Sequence, residues 1–309
     1  MKVAIFGGSG FVGEYIINEL LDNKHVPYVL LRYKSESKIS RHKECQLITG
    51  DLDNPTAIEQ TMMNAEVVIY NIGIIREFKS SGMSFKKLHL EGLIKCVKQA
   101  KKLNIKRFIL MSANGVKENG TGYQTTKFHA ENHLKESGLD WTIFRPSLIF
   151  GNSGGKQEFC KQLKQDMLSL PFPAPLFHEG FLPFKAGAFK MSPVHVEDVA
   201  RIFVKSLSNK DSIGKTFDLG GEDLTWKEIT KLIAIASDKE TKIFIPAPVL
   251  PVKIIAGLLD RFSAFPIAKD QLIMLLEGNT CDGTEAFDFF DIKEPTKFNL
   301  ESLNYLKND

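Results

Sequence analysis

Short apolar runs alternate with helical patterns along the first half of the chain. Residues 2–6 (KVAIF) make one such run, and Tyr28–Leu31, Gln46–Ile48, Val67–Tyr70, Arg107–Met111 and Trp141–Phe144 repeat it. Runs this short, bounded by Gly, Asn or Asp, predict buried strands. Between them, apolar residues recur at helical spacing over Phe11–Leu21, Pro55–Met63, Phe85–Leu103 and Tyr123–Glu136. Asn54 supplies an N-cap for the second of these helices. Strand and helix in strict alternation predict an α/β class: a Rossmann-type doubly wound parallel sheet with helices on both faces.

The pattern loosens after Gly151. Residues 171–190 are rich in Pro, Phe and Gly and predict a loop-rich lid. Val194–Ser206 reads as a turn and a helix, and Thr216–Leu219 as a further strand. Thr225–Ser237 predicts a helix whose Thr225 and Glu228 stand in capping-box spacing. From Phe244 onward the chain reads as helical and apolar in places. The expected division is a dinucleotide-binding core over residues 1–150 and a mixed region over 151–309. Within the latter, about 191–221 completes the core and the remainder forms a smaller substrate or lid subdomain.

Composition narrows this picture. The 309 residues carry 25% charged side chains and a net charge of +3, too little to argue for nucleic acid. The basic run Lys98–Lys106 fits a solvated helix face. Twenty-three Phe against two Trp and six Tyr point to a Phe-rich core. Four Cys show no C-x-x-C pair, so free thiols in a reducing compartment are expected and no metal site. Residues 3–13 are too short and glycine-rich for an export signal. No apolar stretch reaches the length of a transmembrane helix. The expected location is cytoplasmic, with peripheral attachment at the inner face of a membrane as an extension of it. The apolar segments Leu170–Phe189 and Pro246–Phe265 read either as a partner or membrane-surface patch or as a lid and an ordinary helical core.

The densest chemistry lies in Gly7-Gly8-Ser9-Gly10-Phe11-Val12-Gly13, between the first strand and the first helix. A glycine at Gly7 permits a sharp turn, one at Gly10 lets backbone approach a pyrophosphate, and one at Gly13 lets helix and strand pack closely. The helix N-terminus then presents N–H groups and a partial positive charge to phosphate. An acidic residue after the second strand would select NAD. Arg32 stands there instead, with Lys34, Lys38 and Arg41 following, and a guanidinium suits the 2′-phosphate of NADP. NADP(H) is therefore expected in preference to NAD(H). Asp51, followed by Leu52 after the third strand, is placed to accept a hydrogen bond from adenine; a plain turn aspartate is the alternative. Asn71 and Gly73 follow the fourth strand, where glycine permits backbone contact with the same cofactor.

Tyr123 and Lys127 form a Y-x-x-x-K motif at the start of a helix, which puts both side chains on one face. A neighbouring ammonium lowers a phenol pKa toward the working range, so Tyr123 is the expected proton carrier. Lys127 is expected also to bind the nicotinamide ribose. Ser112 ends the fifth strand and is the candidate for orienting the substrate oxygen. His195 and Asp198 read as structural, Arg145 as an anchor after the sixth strand, and His89 with Glu91 as too few ligands for a metal.

These residues together resemble the short-chain dehydrogenase/reductase superfamily in its extended and atypical branches. The resemblance rests on the glycine turn, Gly50-Asp51, Glu91-Gly92, Ser112-Ala113, Tyr123/Lys127 and Arg145-Pro146-Ser147, in that order, and runs nearly end to end. Trp141–Gly151, Val194–Ala200 and Lys215–Gly221 look like its junctions between cofactor and substrate regions. Asn71–Glu77, Ile267–Leu276 and Phe289–Leu306 are similar to the branch that includes the NAD(P)H-binding accessory subunit of mitochondrial complex I and its bacterial relatives. That resemblance implies two readings. One is an NADP(H)-dependent oxidoreductase, or an epimerase- or dehydratase-like enzyme, acting on an unknown small molecule through Tyr123, Lys127 and Ser112. The other is a non-catalytic NADPH-binding accessory or assembly subunit of a membrane-associated respiratory complex.

Overall fold

The computed structural model describes residues 1–78, 82–178, 180, 182–250 and 269–307. The chain divides into two compact units: Met1–Pro146, Val196–Leu219 and Gly283–Lys293 form the first, and Ser147–His195, Gly220–Asp282 and Glu294–Asp309 the second.

In the first unit the strands are β1 (Lys2–Phe6), β2 (Val26–Leu31), β3 (Gln46–Thr49), β4 (Val67–Tyr70), β5 (Arg107–Met111) and β6 (Asp140–Pro146). The helices between them are α1 (Phe11–Asp22), α2 (Pro55–Met62), α3 (Gly92–Lys102) and α4 (Gly122–Lys135). All four residues of β4 and all five of β5 are buried, as expected of strands covered on both faces. Side chains alternate across the sheet. Phe6, Val68, Tyr70, Phe108 and Leu110 pack in one cluster with Ile58 and Met62 of α2, Val97 and Ala100 of α3, and Leu134 of α4. Asn54 caps α2 by accepting the Ala57 N–H at 3.1 Å.

The second unit begins with β7 (Ile149–Phe150), α5 (Phe159–Leu163), β8 (Ala174–His178), β9 (Lys190–Met191) and β10 (Val194–His195). The chain then returns to the first unit as α6 (Val196–Ser206) and β11 (Lys215–Leu219). The sheet is seven-stranded in the order β11-β6-β5-β4-β1-β2-β3, every pairing parallel. That is the doubly wound arrangement, with its order reversing between β1 and β4, where such sheets bind ligands at their C-terminal edge. α6 packs along α1. Much of the Phe excess gathers around β6 and β11: Phe144, Phe203, Phe217, Phe289 and Phe290 form six ring pairs with centroids 4.7–5.8 Å apart.

The second unit continues with β12 (Leu224–Thr225), α7 (Trp226–Ala236), β13 (Phe244–Pro248) and α8 (Lys269–Glu277); α9 (Thr284–Phe289) belongs again to the first. Thr225 and Glu228 make the expected capping box at the start of α7. Two expectations are corrected here. Residues 171–190 are not purely a lid loop, and the chain from Phe244 does not start as helix, because β8 and β13 pair in parallel. Pro175, Pro246 and Pro248 read as breakers, yet proline's fixed φ suits an extended strand, and a two-stranded sheet leaves one edge of each strand without ladder bonds. The apolar segment Pro246–Phe265 falls largely on residues 251–268, outside the described residues. Among the described residues, no helix is long and apolar enough to cross a membrane.

Candidate functional site

The glycine turn closes against the loop that follows β4. Gly7 has φ +97°, and a Cβ there would stand 2.7 Å from the Asn71 carbonyl oxygen. A Cβ on Gly13 would run into the Gly7 carbonyl and stand 2.7 Å from Gly8 Cα, so the first turn of α1 is pressed onto the strand end. Gly10 differs. It is exposed, it is the N-cap of α1, and the nearest atom to an added Cβ is Gly7 O at 3.4 Å. Of these three, Gly7 and Gly13 are demanded by packing, and Gly10 stands exposed at a helix N-terminus. A pyrophosphate requires that combination, so the turn fits the dinucleotide. Ser9, Phe11 and Val12 flank Gly10 and are half-exposed. Gly8 was not assigned a role from the sequence. It has one in packing, since a Cβ there would meet Val29 Cγ1 at 2.5 Å and Ile17 Cδ1 at 2.9 Å.

Arg32 follows β2 directly and is exposed, its Nη1 3.8 Å from Met83 Sδ. Lys38 is exposed at the end of a single 3₁₀ turn, Glu36–Lys38. Arg41 is committed elsewhere, to Asp22 at 2.5 Å and Glu44 at 2.8 Å. Asp51 accepts the Asp53 N–H at 2.8 Å through Oδ1, so one of its oxygens closes a turn. The Leu52 side chain is buried in the core beneath α3, and its carbonyl accepts from Lys95 at 3.0 Å. Leu52 offers a ligand backbone at most.

At the other end of the same sheet edge, a capping box between Thr121 and Gln124 opens α4. Tyr123, Lys127 and Glu131 succeed one another at i, i+4 and i+8, hence on one helix face. Lys127 is buried and its Nζ donates to the carbonyls of Met111 at 3.1 Å and Ser112 at 3.5 Å, where β5 ends. A Cβ on Gly73 would lie 3.6 Å from that ammonium. The ammonium also stands 5.6 Å from the centroid of the Tyr123 ring. Burial lowers the Lys127 pKa to about 8, against the opposing charge of Glu131. The Tyr123 pKa is raised, not lowered as expected from its lysine neighbour. The phenol packs edge-on against Phe85 at 5.8 Å and His89 at 5.3 Å, and desolvation dominates.

Ser112 is buried, and its Oγ donates to Glu131 Oε1 at 2.5 Å. Glu131 has no exposed surface. Arg145, near the end of β6, grips it in two places, Nε to Oε1 at 2.9 Å and Nη2 to Oε2 at 2.6 Å. Burial alone would raise the Glu131 pKa, but the hydrogen bonds from Arg145 and Ser112 outweigh it and hold the carboxyl below its usual value. Sequence reasoning does not mark Glu131, and it marks His89 only as one of too few ligands for a metal. Glu131 stood four residues beyond Lys127 on the same face, a signal that was present; nothing local marks the partners of His89.

The family described as NAD(P)H-binding matches residues 7–167. The mitochondrial NADH-ubiquinone oxidoreductase 40 kDa subunit of Neurospora crassa is 26% identical, covering 98% of this chain and 78% of that protein. The ceramide reductase of Caulobacter vibrioides is 27% identical over 80% of this chain and 74% of its own length. Among solved structures, the Thermus thermophilus UDP-glucose 4-epimerase in complex with NAD superposes with a TM-score of 0.72 at 16% identity, covering 100% of this chain and 98% of that one. That last likeness is one of fold.

Proposed function

The chain belongs to the NAD(P)H-binding family, with the fold of the extended short-chain dehydrogenases/reductases, and we propose that it is an NADP(H)-dependent oxidoreductase using Tyr123 and Lys127 for proton transfer. One observation carries the reading. A continuous path of contacts joins the glycine turn to the Tyr–Lys pair: Gly7 against Asn71, then Gly73 against Lys127 Nζ, then Lys127 over the ring of Tyr123. The turn, the loop after β4 and the start of α4 thus line one edge of the sheet, as a dinucleotide needs.

In this reading Gly7, Ser9, Gly10, Phe11, Val12 and Gly13 take the pyrophosphate, and Arg32 and Lys38 the 2′-phosphate. Asp51 and the Leu52 backbone border the adenine, and Asn71, Gly73 and Lys127 meet the nicotinamide half. The cofactor, when bound, supplies hydride to a carbonyl carbon of the small-molecule substrate. Tyr123 is a neutral phenol at physiological pH, since burial raises its pKa, so its hydroxyl is poised to give a proton to the carbonyl oxygen. Lys127 is largely protonated at neutral pH and lies next to the phenolate that remains. Ser112 has already given its hydrogen to Glu131, so toward a substrate it can only accept. The test is a carbonyl-substrate screen with NADPH, comparing the wild type with Tyr123→Phe. Turnover abolished with cofactor affinity intact supports the role of the phenol; equal turnover removes it.

A second reading is favoured by a separate observation. In the second unit Phe172 is 70% and Phe184 86% exposed, with Leu170, Leu182, Ile243, Ile245 and Leu250 also exposed. Large exposed apolar side chains mark association surfaces where they join into one patch. Together with the respiratory-complex subunit among its relatives, they support a role as a cofactor-holding accessory or assembly subunit, peripheral to a membrane. Recovery of the protein in a membrane or complex fraction with NADPH bound supports this reading. A protein that stays monomeric and partnerless counts against it.

A further inference from the structure

His89 lies in a π-helical turn, Lys86–Glu91, that runs directly into α3. π-helical turns are rare and are frequent at functional sites. The buried side chain of this turn is the His89 imidazole, with only 2% of its surface exposed. Both ring nitrogens are engaged. Nε2 accepts the backbone N–H of Ile74 at 3.1 Å, and Nδ1 stands 3.1 Å from Thr126 Oγ1.

The first bond settles the tautomer. Nε2 accepts, so Nδ1 carries the hydrogen in the neutral ring and donates it to Thr126 Oγ1. Thr126 in turn donates to the Gly122 carbonyl at 2.8 Å, in the first turn of α4. The bonds run in one direction: Ile74 N–H to His89, His89 to Thr126, Thr126 to Gly122. They begin in the loop after β4 and end beside Tyr123. The imidazole ring adds two contacts, stacking on Phe85 at 5.3 Å and meeting Tyr123 edge-on at 5.3 Å with the planes at 88°. His89 stays neutral, its pKa lowered to about 2 by burial and by the charge of Lys127, so it carries no proton to a substrate.

We infer that His89 is a positioning residue: it ties the loop after β4 to the start of α4 and so holds Gly73 against Lys127, the pair that the nicotinamide half of the cofactor would meet. The inference rests on the dinucleotide reading above. It assigns His89 no contact with the adenosine half, which lies by Arg32 and Asp51, and this separates a strut from a residue that merely keeps the protein folded.

The experiment uses the full chain and two probes: NADPH, followed by its fluorescence on binding, and adenosine 2′,5′-bisphosphate, which presents only the adenosine half. Wild type, His89→Ala, His89→Gln and Thr126→Val are compared. Losing two buried hydrogen bonds should weaken NADPH binding by roughly tenfold in His89→Ala and less in Thr126→Val. Adenosine 2′,5′-bisphosphate should bind all four alike. His89→Gln, whose amide can accept from Ile74 and donate to Thr126, should recover part of the loss. The emission maximum of bound NADPH should shift in His89→Ala. If NADPH affinity and emission in Thr126→Val and the folded His89 variants match wild type, the strut is overturned. Equal weakening of both probes also overturns it, as a general effect. If wild-type protein binds neither probe, the dinucleotide reading fails, and with it this inference.

Discussion

Ser112 and Glu131 are joined by a 2.5 Å hydrogen bond in which the serine is the donor. A hydroxyl that has spent its hydrogen on a buried carboxylate cannot also donate to a substrate carbonyl. The carboxylate gains in turn, because Ser112 just after β5, Arg145 of β6 and Lys135 of α4 converge on it. Two substitutions should therefore differ in size. Ser112→Ala removes one charge-assisted bond and should cost about 1.5–3 kcal/mol of folding stability. Glu131→Gln leaves Arg145 without its carboxylate and should cost about 3–5 kcal/mol. Urea unfolding of the three proteins measures both. A Glu131→Gln variant as stable as Ser112→Ala would show that Arg145 finds water or another partner.

Lys127 makes stability depend on pH in the alkaline range. Its folded-state pKa is about 8 against 10.5 for a free lysine. Between those values the unfolded chain binds more protons at this site than the folded one, so stability rises with pH. Below about pH 8 both states are protonated and the full penalty of burying an ammonium applies, roughly 3 kcal/mol. Lys127→Met lacks the titration. The stability of wild type relative to Lys127→Met should improve by that amount from pH 7.5 to about pH 10.5, measured by urea unfolding at each pH. A constant difference across the range would mean that the ammonium is solvated in the folded protein.

Much of the fold is legible in the sequence, for identifiable reasons. Val67–Tyr70 and Arg107–Met111 match β4 and β5 residue for residue, because central parallel strands must be apolar on both faces. Asn54 and the Thr225–Glu228 pair announced their helices through caps that act over three residues. Interactions of long sequence range were not legible. The pairing of β8 with β13 joins Ala174 to Phe244, and the prolines in both strands masked it. The raised pKa of Tyr123 follows from rings that arrive from the segment before α3, so a rule built on Tyr123 and Lys127 alone had the wrong sign. His89 looked like half of a failed metal site and is instead bonded to Ile74 and Thr126.

Arg32 should decide between the two nicotinamide cofactors. It is exposed and follows β2 directly. A guanidinium–phosphate bond is worth about 1.5–3 kcal/mol, so Arg32→Ala should weaken NADPH by roughly ten- to a hundredfold and leave NADH nearly unchanged. The contribution is exposed to salt screening, so the NADPH advantage should shrink as ionic strength rises. Titrations of both cofactors at two salt concentrations measure this. Equal weakening of NADPH and NADH would place Arg32 outside the 2′-phosphate site.

Three of the four glycines of the turn, Gly7, Gly10 and Gly13, should separate folding from binding. A Cβ on Gly13 would press into the Gly7 carbonyl, and one on Gly7 would meet Asn71 in a backbone with φ +97°. Gly7→Ala and Gly13→Ala should both lower the melting temperature, since backbone on each side must give way. Gly10→Ala should not. Its φ of −78° suits any residue and the nearest atom to the new methyl is 3.4 Å away. That methyl would project from the N-terminus of α1, where the pyrophosphate must approach the backbone. Gly10→Ala should therefore melt within a few degrees of wild type yet lose NADPH affinity by roughly tenfold or more, a loss of about 1.4 kcal/mol or more. Melting curves and NADPH titrations on the same preparations settle the contrast. If Gly10→Ala keeps wild-type affinity, the phosphates do not lie on this turn, and the open glycine at the head of α1 has another use.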